Sequence, residues 1–165
     1  MYYPGCTIAA KYDPIAKSYI LGSNSDNPPN ARTKVTVRHG ERFRFIGTQL
    51  ICGDEQLDWE HMITRGVNEK GLAYTFAYVD ISETVKTEKH SKIHFKYFGD
   101  AILGNCSNLQ DVNSYLNSSN PTPHGNFLFA DSHGNVDLYE LTPGQEAQPV
   151  AEPQDIVRTN HYIID

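Results

Sequence analysis

Cys6 is the residue of this 165-residue sequence whose type and position best suit nucleophilic chemistry. It opens a strand-like run, and a second such run, Ser18–Leu21, follows a turn at Tyr12–Pro14. If the two runs pair as a β-hairpin, Asn24 and Asp26 return to the neighbourhood of Cys6. The sequence therefore predicts that a thiol, a carboxylate and an amide meet at one end of a sheet.

The bond between Gly5 and Cys6 is a candidate for self-cleavage, because a Gly-Cys pair stands at the start of a predicted strand. Cleavage would free the α-amine of Cys6, whose ordinary pKa of about 7.7–8.0 suits a general base at neutral pH. The thiol would then be a nucleophile activated by its own amine. The alternative is that Cys6 is a small buried residue of an edge strand, which is the usual situation of a free cysteine.

Composition limits the classes of function. A chain of 165 residues with 39% hydrophobic and 21% charged residues suits one domain over 1–165 with a sizeable core. The net charge of −6 disfavours nucleic acid as a partner. No apolar run approaches the roughly 20 residues that span a bilayer, and no signal peptide is recognisable. We therefore expect a cytoplasmic protein without a membrane partner.

The cysteine and histidine patterns do not predict a metal or another cofactor. The three cysteines, Cys6, Cys52 and Cys106, include no Cys-x-x-Cys pair and form neither a disulfide framework nor a zinc motif. His90 and His94 are four residues apart, but they lack the Glu of a His-Glu-x-x-His motif. We interpret both histidines as solvated or loop residues.

The elements that must position these side chains are mostly strands. Ten tyrosines, 12 glycines and nine prolines favour a sheet-rich chain. The predicted strands are Thr7–Ala10, Ser18–Leu21, Lys34–His39, Arg42–Ile51, Leu72–Val79, Gly125–Asp131, Val136–Leu141 and Ile156–Ile164, and the predicted helices are Tyr97–Leu103 and Leu109–Leu116, the second capped by Asn108. This order favours an α+β fold built from antiparallel pairs.

Five motifs occur in an order that resembles a known family. They are Gly5-Cys6-Thr7, GSNSD at Gly22–Asp26, GVNEKGL at Gly66–Leu72, GNFLFAD at Gly125–Asp131 and RTNHY at Arg158–Tyr162. Together they resemble the cysteine-type N-terminal-nucleophile (Ntn) hydrolases, in the branch of choloylglycine hydrolases, penicillin V acylases and isopenicillin-N acyltransferases, with features of secernin-like dipeptidases. The resemblance implies an αββα sandwich and a hydrolase of linear amide C–N bonds in a small-molecule amide or acyl substrate.

The resemblance also implies a role for each of four residues. Cys6 is the expected nucleophile, and Asp26 is expected to hydrogen-bond both the freed amine and the thiol. Asn68 and Asn160 are expected to line the oxyanion hole, one through a backbone N–H and the other through its side-chain amide. Ser23 departs from the family pattern, in which Arg or Lys stands at this position, so the sequence offers no cation there.

A second hypothesis is a non-catalytic homologue that acts as a binding or subunit half-domain. The family's second catalytic Arg comes well after the RTNHY motif, beyond Asp165, so we expect this chain to form the N-terminal portion of the fold. Such a half-domain would leave sheet edges or a sheet face exposed, to be covered by a partner or by a second copy in a homo-oligomer. Alkylation of Cys6 near neutral pH would favour the enzyme over this alternative.

Overall fold

Two antiparallel sheets and one helical pair make up the computed structural model, which describes residues 6–27, 30–53, 60–79, 95–119, 124–142, 145–150 and 155–160. The strands are β1 (Thr7–Asp13), β2 (Ser18–Asn24), β3 (Arg32–His39), β4 (Arg44–Ile51), β5 (Ile63–Asn68), β6 (Ala73–Tyr78), β7 (Gly125–Ala130), β8 (Val136–Leu141), β9 (Pro149–Val150) and β10 (Ile156–Arg158). The α-helices are α1 (Phe98–Asn105) and α2 (Leu109–Ser119), and a 3-10 turn, Phe95–Tyr97, precedes α1.

The large sheet has seven strands in the order β3-β4-β5-β6-β7-β8-β9, and the small sheet has three in the order β10-β1-β2. Neighbouring strands are antiparallel throughout. The pairing of β10 with β1 joins the two ends of the described chain, with Ile8 opposite Arg158. The small sheet therefore brings residues near position 6 beside residues near position 160.

Two hydrophobic cores separate the layers. The larger core lies between the seven-stranded sheet and the helices, and its aromatic members are Phe45, Tyr74, Phe76, Phe98, Phe127, Phe129 and Tyr139. The smaller core fills the space between the two sheets with Ile8, Ala10, Ala77, Leu128, Leu138 and Ile156. The alternation of side chains along β6 and β7 supplies both cores, because successive residues point to opposite faces of a strand.

The two predicted helices are confirmed, and Asn108 caps the second. Its Oδ1 accepts a hydrogen bond of 2.9 Å from the backbone N–H of Asp111. The Asp111 carboxylate in turn accepts bonds from the backbone N–H and the hydroxyl of Ser107, at 2.9 and 2.6 Å. These bonds from Ser107 lower the pKa of Asp111. The cap satisfies N–H groups that a helix start leaves without partners.

The strand predictions are confirmed except in three places, one of which is the two-residue strand β9, which the sequence did not predict. The strand β5 was not expected, because Gly66 and a bulge interrupt its alternation; the register to β4 shifts between Thr48 and Gln49. The last strand was expected to run to Ile164, but β10 ends at Arg158. Residues 161–165, His90 and His94 lie outside the described residues.

Only one of the two helical layers of an αββα sandwich is formed by the described residues, on the outer face of the seven-stranded sheet. The outer face of the small sheet leaves Ile20 61% and Val157 60% exposed. No helix in the described ranges is long and apolar enough to cross a membrane. The architecture is therefore helix, sheet, sheet in this part of the chain.

Candidate active site

The β1–β2 hairpin places Cys6 at one end of the space between the sheets. Its register pairs Thr7 with Asn24, so Cys6, one residue before β1, lies level with Ser25. The alternation of side chains puts Cys6 on the same face as Ile8, which is fully buried between the sheets. Cys6 itself is half-buried and carries a free thiol. The thiol therefore sits where buried and exposed surfaces meet.

Asn160 lies beside Cys6, although 154 positions separate the two in the sequence. The backbone nitrogen of Cys6 donates a hydrogen bond of 2.5 Å to Asn160 Oδ1. The amide nitrogen of Asn160 donates in turn to the backbone oxygen of Tyr78, the last residue of β6. One side-chain amide thus links Cys6 at the start of the small sheet to the large sheet.

A buried polar cluster holds β10, and with it Asn160, against the large sheet. Asn126 is fully buried on β7, and its amide donates a bond of 2.7 Å to the backbone oxygen of Thr159. Arg158 forms an ion pair of 3.6 Å with Glu140 of β8, and both side chains are largely buried. The role of Asn126 had a signal in the sequence, since it is a polar residue in the otherwise apolar strand GNFLFA.

Asp26 lies at the same end of the hairpin as Cys6. β2 ends at Asn24, opposite Thr7, and Asp26 follows in the exposed loop two residues later. Cys6 and Asn160 are in contact, and the hairpin register places Asp26 at the same end of the small sheet.

Asn68, the fourth, is engaged in a structural turn. Its amide nitrogen donates to the backbone oxygens of Leu103 and Cys106, at 3.0 and 2.7 Å. Its Oδ1 accepts from the backbone N–H groups of Lys70 and Leu72, at 3.0 and 3.1 Å. Both amide hydrogens are used, so the side chain has none left for an oxyanion.

The strand register also separates Asn68 from Cys6. Asn68 ends β5 near Ala73, the first residue of β6, whereas Asn160 binds Tyr78 at the other end of the same strand. Five residues of extended chain correspond to about 16 Å. The expectation that Asn68 joins the site is corrected accordingly: the residue fixes the β5–β6 turn to α1.

Arg65 is a residue of this region that sequence reasoning missed. From β5 its guanidinium crosses to the small sheet, where it donates to Ser23 O and to Ser25 Oγ, each at 3.1 Å. A cation therefore lies beside Ser23, although the residue at that position is not basic. Ser25, one of its two partners, is level with Cys6 in the hairpin register.

The bulge in β5 explains why Arg65 points into the space between the two sheets. Ile63 pairs with Gln49 and packs in the core under the helices, whereas Arg65 pairs with Thr48. Residues two apart normally share a face of a strand, but the extra residue Thr64 reverses the alternation. No sequence pattern signals such a reversal.

Comparisons with known proteins support the fold described above. Residues 15–165 match the family model described as acyl-coenzyme A:6-aminopenicillanic acid acyl-transferase. The fold is similar to two solved structures of variants of the conjugated bile acid hydrolase from Clostridium perfringens, with TM-scores of 0.58 and 0.60 and sequence identities of 18% and 19%. Each comparison covers 87% of this chain and 50% of the hydrolase chain. A search of the curated proteins finds no significant match.

These matches confirm the Ntn-hydrolase fold that the motifs implied, over about half the length of the bile acid hydrolases. The family model covers residues 15–165, a range that contains Asp26 and Asn160 but begins after Cys6. The chain therefore belongs to the acyl-coenzyme A:6-aminopenicillanic acid acyl-transferase family.

Proposed function

We propose that this chain carries the nucleophile of an amidohydrolase or acyltransferase, and that the attacking atom is the sulfur of Cys6. The hydrogen bond from the Cys6 nitrogen to Asn160 carries the proposal. An N-terminal nucleophile needs its α-nitrogen held in one orientation, and here a side chain from the far end of the chain holds it. Membership of an acyltransferase family supports the reaction class.

The proposed reaction begins with hydrolysis of the Gly5-Cys6 bond, in which water adds to the Gly5 carbonyl carbon, leaves a carboxylate on Gly5 and frees the Cys6 nitrogen as an amine. Asn160 Oδ1 accepts one N–H of this amine and so fixes the direction of its lone pair. The amine takes the thiol proton, and the sulfur attacks the carbonyl carbon of an amide substrate. Asp26 hydrogen-bonds the amine from the hairpin side.

The tetrahedral intermediate then collapses to a thioester. The C–N bond of the substrate breaks, and the leaving amine takes the proton that the Cys6 amine holds. Water attacks the thioester in hydrolysis, and a second amine attacks it in acyl transfer. The attack step requires a hydrogen-bond donor to the oxyanion. Asn160 remains the residue that we predict for this role.

Hydrolysis of penicillin V and of short N-acyl amino acids tests this proposal. We expect Cys6→Ala to abolish release of the acyl group, because no other thiol lies at this end of the hairpin in the described part of the chain. The matched control is Cys52→Ala, which removes another half-buried thiol and leaves the activity intact. Equal activity in Cys6→Ala and wild type would exclude Cys6 as the nucleophile.

A binding half-domain without activity is the second candidate. It is favoured by an exposed apolar surface on the inner face of β3–β5, formed by Val35, Val37, Ile46 and Val67, which are 39–66% exposed. Under this proposal a partner or a second copy covers that surface. Size-exclusion chromatography as a strict monomer, together with rapid alkylation of Cys6 at neutral pH, would count against it.

A further inference from the structure

A buried ion pair lies between the two sheets. Arg158 Nε of β10 lies 3.6 Å from Glu140 Oε1 of β8, and the two side chains are only 10% and 6% exposed. Their neighbours on the same strand faces, Leu138 and Ile156, are apolar members of the smaller core. Removing two charges from water costs free energy that their attraction offsets only in part, so such a pair adds little to stability. Stability alone therefore does not explain why an ion pair stands in this core.

The register of β10 on β1 is only weakly specified by the backbone. The two strands pair over three residues, Ile156–Arg158. Asn126 holds β10 through the backbone oxygen of Thr159, but a backbone oxygen recurs at each residue and does not distinguish one register from another. A shift by two residues also keeps every side chain on its own face of the strand. The identity of the inward side chains must therefore set the register.

The two inward side chains of β10 occupy places of opposite chemistry. Ile156 lies opposite Ala10 and is buried in the smaller core. Arg158 lies opposite Ile8 and forms the ion pair with Glu140. A shift that set Arg158 opposite Ala10 would put a guanidinium in the apolar place of Ile156 and deprive Glu140 of this partner. Buried charges without a partner are costly, so the pair penalises the shifted register, as one buried polar residue does in a coiled coil.

The register of β10 decides where Asn160 lies. The pairing of Ile8 with Arg158, continued by two residues, sets Asn160 opposite Cys6, where the Cys6 nitrogen donates to Asn160 Oδ1. A shift by two residues would move Asn160 by about 7 Å along β1, to a place opposite Ile8. The hydrogen bond to the Cys6 nitrogen would then be lost.

We infer that Glu140 is a positioning residue, which with Arg158 sets the register of β10 on β1 and so places Asn160 at Cys6. The pair acts through Asn160, and it contributes a unique register rather than stability. The consequence for the rate of amide hydrolysis rests on the proposed function, whereas the setting of the register does not.

Disulfide cross-linking between β1 and β10 measures the register. Ala9 and Val157 are directly opposite each other, so Ala9→Cys with Val157→Cys should form a disulfide on oxidation. Lys11→Cys with Val157→Cys reports the shifted register, because these positions are diagonal in the native one, where Cα atoms are about 7–8 Å apart. With Glu140 and Arg158 intact, the second cross-link should form at least about 10-fold more slowly than the first. Peptide mapping distinguishes both from disulfides of the native cysteines.

Replacement of the ion pair by apolar side chains is the decisive variant. Glu140→Leu with Arg158→Met should unfold at the same urea concentration as wild type or a higher one, because no charge is then buried. The methionine suits the place of Ile156, so the cross-link through Lys11→Cys should form about as fast as the native one. Exclusive formation of the native cross-link in this folded variant would overturn the inference.

A second variant decides if the apolar replacement does not fold. Glu140→Gln keeps the shape of the side chain and removes its charge, so the shifted cross-link should form at least about 3-fold faster than with Glu140. An unchanged rate would overturn the inference. Arg158→Lys keeps a cation beside Glu140 and should retain the native register, which a role of Arg158 in packing alone would not predict.

The exposed ion pair between the same strands is the matched control. Lys11 Nζ and Asp155 Oδ2 are 3.2 Å apart, with side chains 76% and 63% exposed. Exposed pairs contribute little, so Asp155→Asn should leave the cross-link between Ala9→Cys and Val157→Cys unchanged. A loss of that cross-link in Asp155→Asn would show that the buried pair does not set the register.

Measurements of amide hydrolysis separate this inference from the proposed function. In Glu140→Leu with Arg158→Met the rate should fall together with the share of native cross-link. If wild type hydrolyses no amide while the apolar variant shifts its register, the proposed function fails and the inference stands. If wild type hydrolyses amides while the apolar variant keeps the native register, the inference fails and the proposed function stands.

Discussion

The thiols of Cys106 and Cys6 differ in how deeply they are buried. Cys106 is 1% exposed in the core between the helices and the seven-stranded sheet, whereas Cys6 is half-buried at a sheet end. Burial raises the pKa of Cys106 to about 12. The Cys106 thiol is therefore neutral at physiological pH and cannot serve as a nucleophile.

Two consequences of that pKa can be measured. Iodoacetamide at pH 8 should not label Cys106 in the folded protein and should label it after unfolding in urea. Above about pH 8.5 the unfolded thiol ionises while the folded one stays protonated, so stability falls as pH rises towards 12, by up to about 1.4 kcal/mol per pH unit. Urea titrations of wild type and Cys106→Ala check the slope. An equal slope in both would show that the folded thiol ionises normally.

We predict that Asn68 contributes to the free energy of unfolding and not to the rate of amide hydrolysis. Asn68→Ala leaves three buried backbone groups and one partly buried one without this partner, so we expect a loss of about 3–5 kcal/mol in the free energy of unfolding. The hydrolytic rate per folded molecule should be unchanged. Asn105→Ala is the matched control, because that half-buried amide donates only to Ala101 of its own helix.

The opposite pattern for Asn68 would restore the oxyanion role that its motif suggested. It would consist of normal stability with a rate lowered about 100- to 1,000-fold, the cost of losing one oxyanion donor. The motif made Asn68 and Asn160 equivalent candidates in the sequence. Only the strand register, which sets them at opposite ends of β6, tells them apart.

At the scale of elements, β10 is what completes the site, because it brings Asn160 to Cys6. It pairs with β1 over only three residues, and such a short strand depends on side chains for its position. Asn126 and the ion pair of Arg158 with Glu140 supply that support. The position of Asn160 therefore depends on side chains of β7 and β8.

Asn126→Ala should detach β10 without removing a group from the site. We expect faster hydrogen exchange at Ile156–Arg158 and a rate of amide hydrolysis lowered by about 10-fold or more, since misplacement by about 1 Å can cost 100-fold. Mass-spectrometric exchange measures the first effect. Ser114→Ala on the exposed face of α2 is the control, and exchange as slow in Asn126→Ala as in that control would contradict this role.

The sequence predicted the hairpins, the helices and the cap of α2, since each depends on residues close together in the chain. It did not predict β5, whose bulge hides the alternation, nor the direction of Arg65, which that bulge sets. The pairing of β1 with β10 could be anticipated only through the order of the family motifs, because no local pattern specifies a contact across about 150 residues.

At the scale of the whole molecule, the small sheet covers only part of the large one. β1 and β2 lie over β6 and β7, which leaves the inner face of β3–β5 exposed with Val35, Val37, Ile46 and Val67. The chain spans about half the length of the bile acid hydrolases that share its fold.

The central claim is that Cys6 becomes the N-terminal residue and carries the acyl group during turnover. The most direct measurement is mass spectrometry of protein quenched during turnover of penicillin V and short N-acyl amino acids, followed by peptide mapping. We predict a chain that begins at Cys6, with one acyl group in thioester linkage to that residue. A protein that retains residues 1–5, or whose Cys6 carries no acyl group while substrate is consumed, would contradict the account.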